Sequence, residues 1–343
     1  MSRWEEAVQA VQLPDETAAE QMRERIGQLT KPPGSLGRLE TLAVDMAAVQ
    51  GTIDLHVRPP AVLVFAGDHG VTAENVSAYD ASLTRLMLEN FTRGGAAVNV
   101  LASEIGASVT VYDIGCAGAP VAGTEQIRIR RGTGNIRVEA AMTKEECSEA
   151  LDAGCDAVKR AVEGGAAVII PGEMGIGNTT AAAAVSAKLL DLSARDVTGV
   201  GTGLSGEDLR HKEAVVEDAV KRSDKTDPSA VIQDLGGLEI AAMTGAVLEA
   251  AASRKVILVD GFIATTAALA AVHMAPWVRP FLFFGHQSEE AGHRALLDAL
   301  DADPILSLGM RLGEGSGAVC AFPVLRMAAR IPREMAVFSD LGL

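Results

Sequence analysis

The chain of 343 residues has few aromatic residues, no excess of positive charge and no long apolar run. Aromatic residues make up only 3% of it, which argues against a surface that stacks nucleic-acid bases. Acidic residues outnumber Lys and Arg by 45 to 30, and the resulting net charge of −15 repels nucleic acids and anionic membrane surfaces. We therefore expect a small-molecule substrate, with neither nucleic acid nor membrane as a partner.

The chain is also poor in cysteine and has no apolar leader segment. Its 4 cysteines form no C-x-x-C pair and have no clustered histidines beside them, which predicts reduced thiols. The first residues include acids where a secretory signal needs an apolar run. No apolar segment reaches the roughly 18 residues that cross a bilayer. These features predict a soluble, cytoplasmic protein with no metal or other cofactor.

Short apolar runs alternate with alanine-rich helical stretches through the middle of the chain. Five runs end at Gly or Asp: AVLVFAGDHG, ASVTVYDIGC, AAVIIPGEMG, KVILVDGF and PFLFFGHQS. One predicted helix between them runs from Leu83 to Leu101. Such alternation is typical of an α/β fold with a parallel sheet covered on both faces. We predict a doubly wound, Rossmann-like sheet over residues 58–307 and a small helical domain built from residues 1–57 and 308–343.

In such folds ligands bind beyond the carboxyl ends of the strands, and a glycine-rich turn follows the third run there. Counted from Gly172, GEMGIGNT has the spacing of the triphosphate loop G-x-x-x-x-G-K-[ST], except that Asn178 replaces the lysine. Backbone N–H groups and the dipole of the following helix can hold an anion. The missing lysine favours a monophosphate and disfavours a P-loop ATPase. A strand-to-helix turn without a ligand is the alternative.

Two further glycine-rich stretches carry candidate ionisable residues. TGVGTGL precedes a helix with Lys212, which is either the displaced cation of the phosphate site or a solvated surface lysine. MRLGEGSGAV places Glu314 between two glycines, where partial burial would raise its pKa and suit a general base. A turn glutamate in water is the alternative. The histidines of GHQSEEAGH suggest a metal only weakly, because helix capping by Ser288 accounts for that segment.

These stretches resemble the nicotinate-nucleotide–dimethylbenzimidazole phosphoribosyltransferase family along nearly the whole chain. The resemblance rests on KPPGSLGRLE, FAGDHGV, VSAY, NFTRGGAAVNVLA, GEMGIGNTT, GTGL, LGGLEIAAMTGA, DGFI, GHQSEEAGH and LGMRLGEGSGA. It implies a doubly wound sheet, a small domain from both chain termini, and a dimer whose active sites take residues from both subunits. It also implies transfer of the ribose phosphate of nicotinate mononucleotide to an aromatic base, with inversion and release of nicotinate.

The resemblance implies that Glu314 is the general base, with Glu173 beside it as a second catalytic residue. We assign the phosphate and nucleotide to Gly175, Gly177, Asn178, Thr179, Gly201, Thr202, Gly203, Lys212, Asp260 and Ser288. We assign the incoming base to Ser77, Leu86, Met87, Met174, Leu312 and Gly313. No metal is implied, because the pyridinium of nicotinate mononucleotide departs without one.

One stretch departs from the family pattern. Family members commonly continue VSAY with P-Q-E-V-T-x-Q-M, whereas residues 80–87 here are D-A-S-L-T-R-L-M. Leu86 therefore replaces a glutamine that faces dimethylbenzimidazole, which predicts a more apolar pocket. The acceptor is then dimethylbenzimidazole or a related azole, or alternatively phenol or p-cresol in a heterodimer of unlike subunits. A homodimer and a non-catalytic nucleotide-binding paralogue stay open.

Overall fold

The computed structural model describes residues 1–342 of the chain, and its centre is one parallel sheet. The strands are β1 (Pro60–Gly67), β2 (Ser108–Gly115), β3 (Glu125–Gln126), β4 (Val168–Met174), β5 (Val256–Val259) and β6 (Leu282–Phe284). Their order is β3-β2-β1-β4-β5-β6, with every neighbouring pair parallel. The order reverses between β1 and β4, which opens a crevice at their carboxyl ends. The predicted doubly wound fold is confirmed.

Helices cover both faces of this sheet, as expected for strands whose residues are mostly apolar and buried, like those of β1, β4, β5 and β6. They are α1 (Arg3–Ala10), α2 (Glu16–Gly27), α3 (Arg38–Gln50), α4 (Ser82–Thr92), α5 (Ala97–Ile105), α6 (Lys144–Glu163), α7 (Asn178–Leu190), α8 (Ala194–Val197), α9 (Gly206–Arg222), α10 (Pro228–Leu235), α11 (Leu238–Ala252), α12 (Phe262–Met274), α13 (His293–Ala299) and α14 (Ser316–Glu334). Within residues 1–342, no helix is both long and apolar enough to span a membrane.

The single helix predicted from Leu83 to Leu101 is wrong. Helix α4 ends at Thr92 and α5 begins at Ala97. Gly94 between them has a φ of +76°, a left-handed conformation that ends a helix readily when the residue is glycine. The break turns α5 so that its first turn meets the segment before α14.

Helix α1 lies apart from the other helices of the two chain ends. Helices α2, α3 and α14 pack against one another, and Leu29 forms an isolated antiparallel bridge with Val337. Helix α1 packs instead on α6 and α11, where the indole Nε1 of Trp4 donates to Ser148 Oγ at 3.1 Å. The division into a large and a small domain stays a prediction. Helix α14 also packs on α5, so it joins the terminal helices to the crevice.

Candidate active site

A cavity of about 290 Å³ lies beyond the carboxyl ends of β4, β5 and β6. Glu173 and Met174 reach it from the end of β4, and Asp260 reaches it from the residue after β5. The loop before α14 supplies the opposite wall, including Glu314. Segments distant in sequence thus meet at one edge of the sheet.

The glycine-rich turn after β4 is built for close backbone approach. A Cβ on Gly175 would overlap the carbonyl oxygen of Gly67, and Gly177 has a φ of +93° just before α7 begins. Asn178, the first residue of α7, donates its Nδ2 to Oε2 of Glu173. Asn178, at the position of the lysine in a triphosphate loop, therefore donates a hydrogen bond to the carboxyl group of Glu173 in the same turn.

Glu173 is buried, with 7% of its surface exposed. Burial raises the pKa of Glu173 to about 8, and the negative charges of Asp260 and Glu239 add to the effect. Hydrogen bonds from the Glu314 backbone N–H and from Asn178 oppose it. The carboxyl group of Glu173 is therefore mostly protonated at neutral pH.

Glu314 occupies a strained position between two glycines. Its φ is +64°, and those of Gly313 and Gly315 are +89° and +84°. A left-handed conformation is uncommon for a residue with a Cβ and is found preferentially at functional sites. A Cβ on Gly313 would overlap Oε1 of Glu173, so a larger residue there would displace the Glu173 side chain. The strain brings the Glu314 side chain to the cavity wall.

The carboxylate of Glu314 is buried and only partly hydrogen-bonded. Its Oε2 accepts the backbone N–H of Val98, in the first turn of α5, at 3.2 Å. Burial raises the pKa of Glu314, the Val98 N–H opposes this, and the charge of Asp260 adds to it. Its other oxygen, Oε1, makes no hydrogen bond within residues 1–342. A carboxylate of raised pKa with a free oxygen at a cavity wall is suited to accept a proton.

Asp260 fixes the start of α14. Its Oδ2 accepts the N–H of Gly315 at 3.2 Å, and its Oδ1 accepts the N–H of Ala318 at 2.9 Å. His286 Nε2 lies 3.4 Å from the same Oδ1. These contacts hold the loop that carries Glu314 in place, and the assignment of Asp260 to the nucleotide stays a prediction.

Lys212 is completely buried, so the solvated surface lysine considered above is wrong. Its Nζ donates to Thr179 Oγ1 at 2.9 Å and to the Gly199 carbonyl at 3.0 Å. Burial lowers the pKa of Lys212 to about 8, and the charge of Glu290 opposes that change. A Cβ on Gly201 would lie 2.9 Å from Nζ, which places the ammonium directly behind the Gly201 turn. Its charge therefore reaches the cavity through that turn.

A buried ion pair supports the glycine-rich turn from below. His69 Nε2 lies 2.7 Å from Oε1 of Glu239, and neither side chain is exposed. The His69 ring lies 3.4 Å from the position a Cβ would take on Gly175. Burial alone would lower the pKa of His69, but the charge and hydrogen bond of Glu239 raise it. The pair therefore packs directly beneath the turn and helps to fix its position.

The histidines of GHQSEEAGH contact protein groups. His293 Nδ1 accepts the N–H of Ser288 at 2.8 Å, and its Nε2 lies 3.0 Å from Thr265 Oγ1. His286 faces Asp260 as described. In the part of the chain that the structure describes, no three His, Cys, Asp or Glu side chains form a group that could hold a metal ion.

Known proteins share this architecture. Residues 11–343 match a family model described as phosphoribosyltransferase. The chain is 47% identical to the nicotinate-nucleotide–dimethylbenzimidazole phosphoribosyltransferase of Pseudomonas putida (strain W619), over 99% of this chain and 97% of that relative. The chain belongs to that family.

Two further comparisons agree. The phosphoribosyltransferase of the same name from Pseudomonas aeruginosa PAO1 is 49% identical over 93% of this chain and 92% of that relative. The crystal structure of CobT from Thermus thermophilus has a TM-score of 0.93 at 45% identity, covering 95% of this chain and 99% of that one. The family and the enzyme class inferred from the sequence are confirmed.

The cavity of this phosphoribosyltransferase brings most of the predicted site residues together. Those that line it are Ser77, Met87, Glu173, Met174, Gly175, Gly177, Asn178, Thr179, Gly201, Thr202, Asp260, Ser288, Leu312, Gly313 and Glu314. Gly203 and Lys212 lie outside the lining. Leu86 does too, contrary to the expectation that it makes the pocket more apolar. It is 54% exposed, because a helix turns it about 100° away from Met87. Leu83 and Met87, one turn apart, are the residues of α4 that line the cavity.

Two charged residues of the lining, Arg311 and Glu290, were not among the site residues predicted from the sequence of this phosphoribosyltransferase. Arg311 is the only Lys or Arg in the described lining, and its Nη1 donates to the Gly201 carbonyl at 3.2 Å. The sequence feature that could have indicated Arg311 as a site residue is its place in LGMRLGEGSGA, two residues before Gly313. Glu290 lies two residues after Ser288, in GHQSEEAGH, and nothing in its spacing separates it from Glu289.

Proposed function

We propose that this phosphoribosyltransferase transfers the ribose 5-phosphate of nicotinate mononucleotide to a cobamide lower-ligand base, dimethylbenzimidazole or a related azole. The products are the α-ribotide and nicotinate. The names of relatives that are 47% and 49% identical over nearly the whole chain support this substrate pair. The observation that carries the mechanism is Glu314, a buried carboxylate of raised pKa whose strained backbone brings it to the cavity wall.

In the proposed reaction, a ring nitrogen of the azole attacks the anomeric carbon with its lone pair. The bond from that carbon to the pyridinium nitrogen breaks, and nicotinate leaves with the electron pair. The azole then carries one proton too many on its other ring nitrogen. Glu314 accepts that proton through its free Oε1. A single base suffices, because the leaving group starts as a cation and departs as a neutral ring.

The phosphate is proposed to bind at the end of the cavity formed by the Gly201 turn. Thr179, Thr202 and Ser288 bring hydroxyl groups to that end, and Arg311 brings a guanidinium group. Lys212 adds its charge from behind. One phosphate matches this set of hydroxyl donors, backbone N–H groups and two cations better than a triphosphate would.

Glu173 is proposed to act as a protonated wall residue beside Glu314. A second ionised carboxylate there would disfavour the ionised form of Glu314, which is the form that accepts the proton. Because burial raises the pKa of Glu173 to about 8, the group is neutral at neutral pH and can donate a hydrogen bond. The Glu173 carboxyl group packs against Gly313, which lies in the loop that carries Glu314. This contact fixes the position of Glu173 relative to Glu314.

Substitution of Glu314 by Gln tests the general-base role. We expect Glu314→Gln to fold and to bind nicotinate mononucleotide as the wild type does, while the rate of nicotinate release falls roughly 10²- to 10⁴-fold. Glu289→Gln is the matched control, since that glutamate is exposed and lies outside the cavity lining. A rate within a few-fold of wild type for Glu314→Gln would refute the role. Binding of the nucleotide by the wild type without nicotinate release would indicate a non-catalytic paralogue.

The acceptor and the oligomeric state are tested separately. We expect the enzyme, offered dimethylbenzimidazole and phenol together, to form the azole ribotide; exclusive use of phenol would favour the alternative. Tyr79, Leu86 and Leu312 are each more than half exposed at or beside the cavity, which supports a second subunit covering its mouth. Light scattering on the purified chain should then give a homodimer. A monomer that becomes active only with a paralogous chain would indicate the heterodimer.

A further inference from the structure

One buried carboxylate in the cavity has no part in the proton transfer proposed above. Glu290 lines the end of the cavity at the Gly201 turn and is 7% exposed. Its backbone N–H donates to Ser288 Oγ at 3.3 Å, and its carbonyl accepts the N–H of His293 at 3.0 Å. The loop between β6 and α13 therefore fixes where this side chain begins.

The carboxylate of Glu290 takes up a backbone donor of the Gly201 turn. Its Oε2 lies 3.4 Å from the backbone nitrogen of Gly201 and accepts that N–H. It also lies where a Cβ on Gly199 would be, so only glycine at 199 leaves room for it. Its Oε1 makes no hydrogen bond with any residue that the structure describes. The Glu290 carboxylate thus accepts a hydrogen bond from a backbone N–H group that we assign to the phosphate.

Glu290 is also a counter-charge for Lys212. The ammonium of Lys212 is buried behind the same turn, and Glu290 raises its pKa against the effect of burial. The two groups form no ion pair within 4.0 Å. A buried cation without any nearby anion would be costly, so Glu290 offsets part of that cost while the cavity is empty. A bound phosphate would supply the same compensation at closer range.

We infer that Glu290 is a built-in competitor for the phosphate: its carboxylate holds the Gly201 N–H and compensates Lys212 in the empty site, and the phosphate of the ligand must displace it. This inference rests on the proposed phosphate position. It has a functional consequence, because nucleotide and α-ribotide both carry a phosphate. A competitor that weakens binding of both keeps the affinity for the product low enough for release.

Glu290→Gln removes the charge at nearly constant shape and tests the inference. Sulfate is the probe, since it remains a dianion across the working pH range, and its competition with nicotinate mononucleotide is measured at pH 6.5. At that pH Lys212, whose pKa is about 8, stays charged. We expect the inhibition constant of sulfate and the KM of the nucleotide both to fall about tenfold or more, because a nearby like charge has been removed. Glu289→Gln, one residue away but exposed, should change neither.

The direction of the change separates this role from a structural one. A damaged site binds anions more weakly, whereas loss of a competitor makes it bind them more tightly. Glu290→Ala should act in the same direction and carries the test if the Gln variant does not fold, with thermal unfolding as the check on folding. Unchanged or weaker sulfate inhibition in the folded variants would overturn the inference. If sulfate competes neither in the wild type nor in the folded variants, while nicotinate release proceeds, the phosphate position and this inference fall but the transferase activity stands.

Discussion

Glu173 allows a quantitative prediction about stability and pH. Burial, with the charges of Asp260 and Glu239, raises the pKa of Glu173 from an ordinary 4.5 to about 8. The folded protein therefore keeps a proton that the unfolded chain releases at lower pH. The stability linked to that proton is complete below pH 4.5 and is lost progressively as the pH rises through the folded pKa. One pKa unit corresponds to about 1.4 kcal/mol, so the total loss is roughly 5 kcal/mol.

Glu173→Gln removes this titration and keeps an acceptor for the Asn178 amide. The free energy of unfolding would be measured by urea denaturation at pH 5, 7 and 9 for both proteins. We expect the wild type to lose roughly 4 kcal/mol more than the Gln variant between pH 5 and pH 9. Glu289→Gln, which changes an exposed carboxylate, should follow the wild-type curve. Parallel curves for wild type and Glu173→Gln would refute the reasoning and would mean that Glu173 is ionised at neutral pH.

Two further predictions concern the residues around this carboxyl group. Gly313→Ala should destabilise the fold by at least about 1 kcal/mol more than Gly309→Ala, as measured by the same urea series, because its Cβ would overlap Oε1 of Glu173. Gly309 is the control for backbone strain alone, since its φ of +68° is also left-handed but a Cβ there meets no atom within 4 Å; equal losses would contradict the clash. His69→Gln should lower stability mainly below about pH 6.5, because the raised pKa of His69 contributes stability that is lost as the pH rises through it. A loss in the unfolding free energy that is independent of pH would argue against a charged His69.

Local sequence patterns predicted the sheet and much of the cavity. The apolar runs that became β1, β2 and β4 to β6 are continuous enough to identify buried parallel strands, and β3, with two residues, is too short to leave such a signal. Gly177 was predicted from a glycine-rich turn after a strand, and Glu314 from its place between two glycines and from the family resemblance. Their side-chain partners could not be predicted this way, because hydrogen-bond partners depend on how distant segments meet.

The features that were predicted wrongly or not at all depend on burial and on contacts between distant segments. Leu86 was placed in the pocket from its position in a motif, and the rotation of α4 turns it outward. The contact between the Asn178 amide and Glu173, five residues earlier on β4, was not predicted, and the assignment of Asn178 to the phosphate stays a prediction. Glu290 and Glu289 are neighbours of the same type, and only the fold makes one buried and the other exposed. Charge and residue type are visible in a sequence, but burial of a single side chain in a loop is not.

The left-handed backbone of Glu314 limits how this site could have been optimised. Glycine is the residue best suited to a φ of +64°, and the chain uses it on both sides but not at 314 itself. A change to glycine there would relieve the backbone strain and stabilise the fold. It would also remove the carboxylate that we propose as the general base. Selection for thermostability alone would therefore favour glycine at this position and remove the proposed general base. The backbone strain at Glu314 is thus a cost in stability that accompanies the general-base role proposed for it.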